Sequence, residues 1–128
     1  MKVSELAREV PWILPGLPVR EAARLMDESN SLALLVKTVD DEFLGVFGYT
    51  ELLDAASRGE LDEAVEEYVN TEPPLVLHDA DIKDAVLLFK KHESLYLVVL
   101  NDKEEPYALL SVMDVMKMAA SIIENIFS

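Results

Sequence analysis

The residues of this sequence most able to do chemistry lie together in residues 107–116. The apolar run 107–110 predicts a strand, and the pattern from Val112 onward predicts a helix. Ser111 and Asp114 therefore flank the start of a helix, where backbone N–H groups lack partners within the helix. A hydroxyl followed three residues later by an acidic side chain is typical of a capping box, in which both side chains bond to the backbone of the helix end.

The same arrangement occurs 63 residues earlier, in residues 44–53. Gly48 stands there in place of Ser111, and Glu51 in place of Asp114. The shift is constant and needs no gap along the chain. Further identical residues are paired by it: Pro11 with Pro74, Leu14 with Leu77, Ala22 with Ala85, Ser31 with Ser94 and Val36 with Val99. A constant shift predicts a duplicated unit. We therefore divide the chain into two repeats, residues 1–64 and 65–128.

Periodicity and turn residues predict a βαββα order in each repeat. In the first repeat we expect a short helix at 3–9, an extended segment at 11–14, a helix at 18–28, strands at 32–36 and 43–47, and a helix at 49–57. A linking helix at 60–67 follows, and then strands at 75–77, 96–100 and 107–110 and helices from Ile82 and from Val112. The predicted fold class is α+β, with the two repeats packed sheet to sheet about a pseudo-two-fold axis.

Composition limits the classes of function. The 128 residues, 51% of them hydrophobic, suffice for one compact module but not for two independent domains of ordinary size. The chain has no cysteine, which excludes disulfides and thiolate metal sites. The net charge of −14 argues against nucleic acid as a partner, because phosphate backbones are held by clustered Lys and Arg. An anionic ligand would have to be held by a few local donors.

Other sequence features predict neither an enzyme nor a membrane protein. No apolar stretch has the length of a membrane span or a secretion signal, so we expect a soluble, cytoplasmic protein without a membrane partner. His78 and His92 are solitary, without a Ser, Cys or second His at catalytic or metal-binding spacing. The acidic run 40–42 predicts a turn, because Phe43 and Leu44 replace the ligands that a calcium loop needs. We expect no metal and no required cofactor.

The period, the element order and the junction residues together resemble the cystathionine-β-synthase (CBS) domain. The junction of that family is a hydrophobic-hydrophobic-Ser/Thr-x-x-Asp sequence after the last strand, which residues 109–114 match. Two such repeats in tandem resemble a Bateman module. The resemblance implies a sensor that binds adenosyl ligands (AMP, ADP, ATP or S-adenosylmethionine) in the cleft between the repeats, rather than a catalyst.

Under this resemblance, Asp114 holds the ribose, because a carboxylate accepts two hydrogen bonds side by side. Ser111 holds the phosphate together with the N–H groups of the helix start. The motif alone favours the capping interpretation, and the resemblance reverses that preference. The adenine pocket of this site is implied to come from the opposite repeat, from Trp12, Ile13, Ser31 and Leu32.

A second, weaker site is implied around Glu51, with Thr71, Val76, Ser94 and Leu95. Gly48 has no hydroxyl there, and the extra methylene of Glu51 would carry its carboxylate about 1.5 Å further. Arg8 stands where Thr71 matches the usual Thr of the family, so the first site also departs from the pattern. We expect one working site, at Ser111 and Asp114. Core packing is the alternative role of Trp12, Ile13 and Val76, and an empty module is the alternative for the chain.

The last predicted helix presents a wide apolar band, made of Val112, Val115, Met116, Ala119, Ile122, Ile123, Ile126 and Phe127. Such a band favours a partner, and the alternative is packing against residues 3–6 and the linking helix. We expect a homodimer. The leading function is a stand-alone CBS-pair regulatory protein that binds an adenosyl ligand and passes that state to an unidentified regulated protein. The alternative function is a ligand-free dimerisation or docking module with degenerate nucleotide sites.

Overall fold

A computed structural model of the chain describes the backbone of residues 1–127 and the side chains of residues 1–121. The fold is α+β, as predicted, with two three-stranded sheets and helices. The chain forms two compact units. We call Val10–Pro73 the middle unit, and we call Met1–Glu9 with the chain from Pro74 onward the terminal unit.

The two units contain the same elements in the same order. The middle unit has strands β1 (Trp12–Ile13), β2 (Ala33–Lys37) and β3 (Phe43–Gly48), helices α1 (Val19–Ser29) and α2 (Tyr49–Ser57), and a 3₁₀ helix (Val65–Glu67). The terminal unit has a 3₁₀ helix (Val3–Glu5), strands β4 (Leu75–Leu77), β5 (Tyr96–Leu100) and β6 (Pro106–Ser111), and helices α3 (Ile82–His92) and α4 (Val112–Phe127). None of the helices that the structure describes has the length and apolar composition of a membrane span.

The two sheets share both strand order and register. In each sheet the central strand, β2 or β5, pairs in parallel with the first strand and antiparallel with the last. Both antiparallel pairs carry an irregularity near the end of the central strand, after Val36 and after Val99. The duplication predicted from the sequence is therefore present in the topology.

Each unit has its own core, because helix residues at i, i+3, i+4 and i+7 spacing face the sheet. In α1 the buried residues are Val19, Ala22 and Met26, and in α3 they are Ala85 and Phe89. The remaining buried core residues of the middle unit are Ile13, Leu34, Val36, Phe47, Ala55 and Val65. Those of the terminal unit are Val3, Val76, Leu97, Val99, Ala108 and Leu110.

The N-terminal segment of each sequence repeat packs with the sheet of the other repeat. The N–H of Val3 donates to the carbonyl oxygen of Ala80 at 2.9 Å, and the N–H of Val65 donates to that of Leu17 at 2.8 Å. The first nine residues therefore belong to the unit that contains the second sheet.

The repeat contains one gap, which corrects the prediction of a single constant shift. The two 3₁₀ helices begin at Val3 and Val65, 62 residues apart. The sheets repeat at 63 residues, because Trp12 pairs with Leu35 and Leu75 pairs with Val98. The segment that follows the second 3₁₀ helix is thus one residue longer than the first.

This gap changes the counterpart of Arg8. Arg8 forms an antiparallel bridge with Leu109 of β6, and Asn70 forms the same bridge with Val46 of β3. Of the helix predicted at 3–9, the structure has only the 3₁₀ turn at Val3–Glu5, so Arg8 lies outside it. The structural counterpart of Arg8 is Asn70, and the prediction that it corresponds to Thr71 is wrong.

The predicted linking helix at 60–67 is also wrong, except for its last turn at Val65–Glu67. The backbone that precedes this turn instead bonds to the start of α1. Pro18, at the N-cap of α1, makes no side-chain cap hydrogen bond. The first N–H of the helix, that of Val19, donates to the carbonyl oxygen of Glu63 at 2.8 Å. This bond satisfies a helix N–H that would otherwise lack a partner.

Candidate functional site

A cluster of polar side chains lies where β6 meets α4. β6 ends at Ser111 and α4 begins at Val112, so the N–H groups of the first helical turn lie next to the hydroxyl of Ser111. Ser111 is 5% exposed. Its Oγ donates to Oδ2 of Asp114 at 3.1 Å and accepts the N–H of Asp114 at 3.3 Å. The hydroxyl thus caps the helix, which is one half of the predicted capping box, and the carboxylate bonds to this hydroxyl rather than to the backbone.

Arg8 completes this cluster from a distant part of the sequence. Its Nε lies 3.3 Å from Oδ1 of Asp114 and 3.4 Å from Oδ2. Two backbone hydrogen bonds of 2.9 Å to Leu109 fix Arg8 beside β6. The side chain of Asp114 is 12% exposed and that of Arg8 is 46% exposed. We call Arg8, Ser111 and Asp114 the Asp114 cluster.

The Asp114 cluster offers an anchored carboxylate beside an anchored cation. An ionised carboxylate has about four acceptor positions. The bonds from Ser111 and Arg8 account for two of them. The others can accept a pair of neighbouring hydroxyls. The cluster can therefore recognise two adjacent hydroxyls of a polyol.

Sequence reasoning identified Ser111 and Asp114 from their spacing but treated Arg8 only as a departure from the family pattern. Arg8 and Asp114 are 106 positions apart, so no local spacing links them. The signal that would have linked them is the pairing of the N-terminal segment with β6. The register of the repeat does not contain that information.

The equivalent position in the middle unit is built differently. Oε1 of Glu51 accepts the N–H of Gly48 at 2.9 Å, so Glu51 closes its own helix end. Burial raises the pKa of Glu51, and the backbone N–H groups of Gly48 and Glu51 offset this only in part. Asn70, the counterpart of Arg8, has no charge, and its Oδ1 accepts the N–H of Glu72 at 3.0 Å.

Leu32, predicted for the Asp114 site, and Leu95, predicted for the Glu51 site, each accept a hydrogen bond from the start of a helix in their own unit. The carbonyl oxygen of Leu32 accepts the N–H of Tyr49 at the start of α2, at 2.9 Å. The carbonyl oxygen of Leu95 accepts the N–H of Val112 at the start of α4, also at 2.9 Å. Within the terminal unit, Leu95 therefore lies next to the Asp114 cluster, and within the middle unit Leu32 lies next to the helix of Glu51.

The other predicted residues of this group make local contacts. The hydroxyl of Ser31 donates to the carbonyl oxygen of Ser29 at 3.3 Å, and that of Ser94 to the carbonyl oxygen of Tyr96 at 2.7 Å. Val76 is 6% exposed and packs in the core of the terminal unit, as the core-packing alternative predicts. Thr71 is exposed in the middle unit.

Trp12 and Ile13 lie on β1, at the edge of the first sheet. Ile13 is 5% exposed and packs in the core of the middle unit. The ring of Trp12 meets that of Phe43 edge to face at a centroid distance of 6.2 Å, and Nζ of Lys37 lies 5.5 Å from the Trp12 ring centroid. Trp12 and Ile13 line an apolar pocket of about 550 Å³ with Leu14, Pro15, Gly16, Leu17, Leu25 and Val39.

A family model of the CBS domain matches the chain twice, at residues 3–58 and 65–121. The chain belongs to the CBS-domain family. Two matches in one chain make it a tandem CBS pair, which is the family identified from the junction residues and the repeat.

Similar proteins support the same architecture. An uncharacterized 17.7 kDa protein of Acidianus ambivalens is 25% identical over 114 residues, which cover 88% of this chain and 70% of that protein. The solved structure of CBS domain protein PAE2072 from Pyrobaculum aerophilum, complexed with AMP, matches with a TM-score of 0.84 and 21% identity, covering 100% of both chains. The CBS domain pair of protein MJ0100, solved with 5′-methylthioadenosine and S-adenosyl-L-methionine, has a TM-score of 0.80 and 13% identity, covering 92% of this chain and 98% of that one.

The last helix of this CBS pair has a packed side and an open side. Val112 and Val115 pack against the core of the terminal unit. Met113 is 48% exposed and Met116 is 57% exposed. Ala119 of the predicted apolar band is exposed, and its last four residues, Ile122, Ile123, Ile126 and Phe127, lie outside the described side chains.

The second CBS repeat also contains a histidine contact that the sequence did not predict. Nε2 of His78 lies 2.6 Å from Oδ1 of Asp102. The two residues line a polar pocket of about 240 Å³. Across the described residues, no group of three or more His, Cys, Asp and Glu side chains is placed to hold a metal ion.

Proposed function

We propose that this CBS pair is a regulatory protein that binds an adenosyl ligand through the Asp114 cluster. Asp114 accepts hydrogen bonds from the two ribose hydroxyls. Ser111 lies beside the substituent at the 5′ position, toward which its hydroxyl rotates when the ligand binds. The ligand class is AMP, ADP, ATP or S-adenosylmethionine. The bound state is passed to a regulated protein, and the chain itself catalyses no reaction.

One observation carries this proposal: a hydroxyl, a guanidinium and a carboxylate meet at the start of one helix. The Oγ of Ser111 lies 3.1 Å and the Nε of Arg8 lies 3.3 Å from oxygens of Asp114. The similar CBS-pair structures PAE2072, complexed with AMP, and MJ0100, with 5′-methylthioadenosine and S-adenosyl-L-methionine, support the choice of ligand class.

The cap formed by Ser111 is compatible with this function. Ser111 donates one hydrogen bond to Asp114 and accepts one backbone N–H. With the contact from Arg8, this leaves about two acceptor positions of the carboxylate for a ligand. A ligand that binds there gains a carboxylate already held in place. This lowers the entropy lost on binding.

Isothermal titration and thermal shift with AMP, ADP, ATP and S-adenosylmethionine test the proposal. We expect binding of at least one of them, and a stabilisation of roughly 2.7 kcal/mol when the ligand is present at about 100 times its Kd. Asp114→Asn removes the negative charge and one hydrogen-bond acceptor, and should abolish binding. Glu51→Gln is the matched control in the other repeat and should leave binding unchanged.

Two results would contradict the proposal. The first is the absence of a signal with all four compounds. The second is binding that Asp114→Asn leaves intact, which would place the ligand elsewhere on the chain. The CBS-pair fold would stand in both cases.

The second candidate function is a dimerisation or docking module. The exposed side of α4 favours it, because Met113 and Met116 are both about half exposed. We propose that the chain forms a homodimer through this side of α4. The dimer is compatible with ligand binding and does not require it.

A further inference from the structure

The apolar pocket of the middle unit lies at one end of its sheet. Its walls are β1, the loop 14–17 that leads to α1, Leu25 of α1, and Val39 in the turn between β2 and β3. Leu32, which bonds to the start of α2, lies at the other end of β2. The five residues of β2 span about 16 Å. The pocket is therefore separate from the junction of β3 with α2, where Glu51 lies.

The pocket exposes large apolar side chains to solvent. Leu14 is 47% exposed and Val39 is 84% exposed. The volume of about 550 Å³ is in the range of sites that take a ligand. The indole ring of Trp12 forms one wall, and Trp is among the side chains that contribute most to binding energy when a partner covers them. An apolar occupant would remove this surface from water.

Acidic side chains flank the pocket on three segments of the chain. Asp40 and Glu42 are exposed in the turn between β2 and β3. Glu28 is exposed on α1, three positions after the helix residue of the pocket and thus on the same helix face. The N–H of Glu66, whose side chain is exposed, donates to the pocket loop at the carbonyl oxygen of Pro15. We call Glu28, Asp40, Glu42 and Glu66 the acidic rim.

We propose that this pocket docks a basic segment of a partner protein, which inserts an apolar side chain against Trp12. Charge complementarity favours this occupant, because Lys or Arg next to the inserted side chain would face the acidic rim. Lys37, whose Nζ lies 5.5 Å from the Trp12 ring centroid, is already paired with Asp41 at 2.8 Å. A second copy of this chain carries the same net charge of −14, which opposes its approach. The inference goes beyond the proposed function and does not depend on a bound adenosyl ligand.

The equivalent place in the terminal unit is a polar pocket of about 240 Å³. Three of its lining residues replace Pro15, Gly16 and Val39 of the apolar pocket, and they are His78, Asp79 and Asp102. An apolar side chain would gain little there. The duplicated fold therefore has one apolar docking site, in the middle unit, and a matched polar surface in the terminal unit that serves as a control.

The test uses the fluorescence of Trp12, which is the only tryptophan of the chain. The probes are synthetic peptides of about ten residues without Trp or Tyr, long enough to cover the pocket and reach the acidic rim. One alternates lysine and leucine, a second has serine in place of leucine, and a third has glutamate in place of lysine. We expect the lysine–leucine peptide to shift the emission of Trp12 and to bind at least about tenfold more tightly than the other two. Added NaCl should weaken this binding.

Two substitutions alter the apolar surface of the pocket. Leu14→Ser and Val39→Ser should each weaken binding of the dye-labelled lysine–leucine peptide about fivefold or more, as measured by fluorescence anisotropy. Val39 is 84% exposed, so its replacement should leave the fold intact. Leu77→Ser is the matched control, because Leu77 is the counterpart of Leu14 in the other repeat and is 43% exposed. It should leave binding unchanged.

A second pair of variants tests the acidic rim. Asp40→Asn combined with Glu42→Gln removes two negative charges beside the pocket and should weaken peptide binding about threefold or more. Glu104→Gln combined with Glu105→Gln removes the same charge from the exposed turn between β5 and β6. This control should bind the peptide as wild type does.

Several results would overturn the proposal. Equal binding of the lysine–serine peptide would mean that charge alone attracts the probe, and equal binding of the glutamate–leucine peptide would mean that apolar contact alone does. Absence of binding, or binding that Leu14→Ser and Val39→Ser leave intact, would remove the pocket as a docking site. Tighter binding of indole than of the peptide would make the occupant a small molecule. Dissociation of a wild-type dimer by Val39→Ser would make it a second copy of the chain.

Discussion

Asp114 and Glu51 occupy the same position in the two repeats but hold different partners. The shorter Asp114 contacts the hydroxyl of Ser111 and the guanidinium of Arg8. Glu51 has an extra methylene and no neighbouring hydroxyl, and its carboxylate bonds to the N–H of Gly48. One methylene and one hydroxyl therefore separate a carboxylate that contacts Ser111 and Arg8 from one that accepts the N–H of its own helix end.

The buried position of Glu51 predicts a pH dependence of stability. Because burial raises the pKa of Glu51 above its ordinary value of 4.5, the folded protein binds this proton more tightly than the unfolded chain does. The contribution of Glu51 to the free energy of unfolding is thus fully present below the unfolded pKa and is lost as the pH rises through the folded pKa. Glu51→Gln keeps an acceptor for Gly48 and removes the charge.

We expect Glu51→Gln to be as stable as wild type below the ordinary Glu pKa of 4.5 and increasingly more stable than wild type as the pH rises above it. Urea unfolding at several pH values measures the difference. Glu66→Gln, which removes the same charge from an exposed side chain, should give a difference that does not change with pH in this way. A destabilised Glu51→Gln at neutral pH would contradict the expected sign.

Gly45 predicts a steric effect at a single residue. A Cβ added to Gly45 would overlap the carbonyl oxygen of Asn70 and lie 2.8 Å from Cγ1 of Val69. The backbone bridge between Val46 and Asn70 holds this oxygen in place. We expect Gly45→Ala to lower the free energy of unfolding by about 1–3 kcal/mol, as overpacking does.

The midpoint of urea unfolding measures this loss. Gly16→Ala is the control, because no atom lies within 4 Å of the Cβ that it adds. If Gly45→Ala were as stable as wild type, the backbone bridge between Val46 and Asn70 would have to shift at little cost in free energy.

At the scale of elements, the sequence predicts the helices and strands whose bounds depend on neighbouring residues in the chain. The turn residues and apolar spacing predict α2 at its observed bounds, Tyr49–Ser57, and the central strands to within one residue. The junction of Ser111 and Asp114 is likewise a local signal, and the structure brings the two side chains together. These features depend on neighbours within a few positions in the chain.

The features that the sequence did not predict depend on distant backbone contacts. The helical spacing at 60–67 is real in that Leu61, Val65 and Tyr68 do pack on the core of the middle unit. The backbone nevertheless leaves the helical path, and the carbonyl oxygen of Glu63 accepts the N–H of Val19 at the start of α1. Arg8 likewise lies beside Asp114 through a backbone contact between distant residues, its bridge to Leu109 of β6. Neither contact leaves a periodic signal.

The placement of the two 3₁₀ helices predicts which sheet each one stabilises. Val3 and Val65 are fully buried, Val3 in the core of the terminal unit and Val65 in that of the middle unit. Replacing either by Ala removes two buried methyl groups and should cost roughly 2 kcal/mol. Val3→Ala should reduce amide protection in β4, β5 and β6, and Val65→Ala in β1, β2 and β3.

Hydrogen exchange measured by mass spectrometry resolves these two patterns. Each variant serves as the control of the other, because the substitution and the burial are the same. If Val3→Ala instead exposed the strands of the first sheet, the N-terminal segment would pack with its own sequence repeat. That result would contradict the packing of each N-terminal segment with the sheet of the other sequence repeat.

At the scale of the whole molecule, the net charge opposes self-association. A charge of −14 makes two copies repel each other, so a homodimer needs apolar contact to offset this. The described part of α4 supplies such a surface in Met113 and Met116. Because salt screens the repulsion between copies and leaves apolar contact in place, added NaCl should favour the dimer.

Met116→Glu tests whether α4 is the dimer surface. The substitution places a charge on a side chain that is 57% exposed, so it should leave the fold intact and convert the proposed dimer to monomer. Sedimentation velocity measures the mass at matched protein and salt concentrations. Val39→Glu, at an 84% exposed position in the turn between β2 and β3, is the control and should leave the dimer unchanged. Dissociation by Val39→Glu but not by Met116→Glu would move the interface away from α4, and a monomeric wild type would remove the homodimer from the proposal.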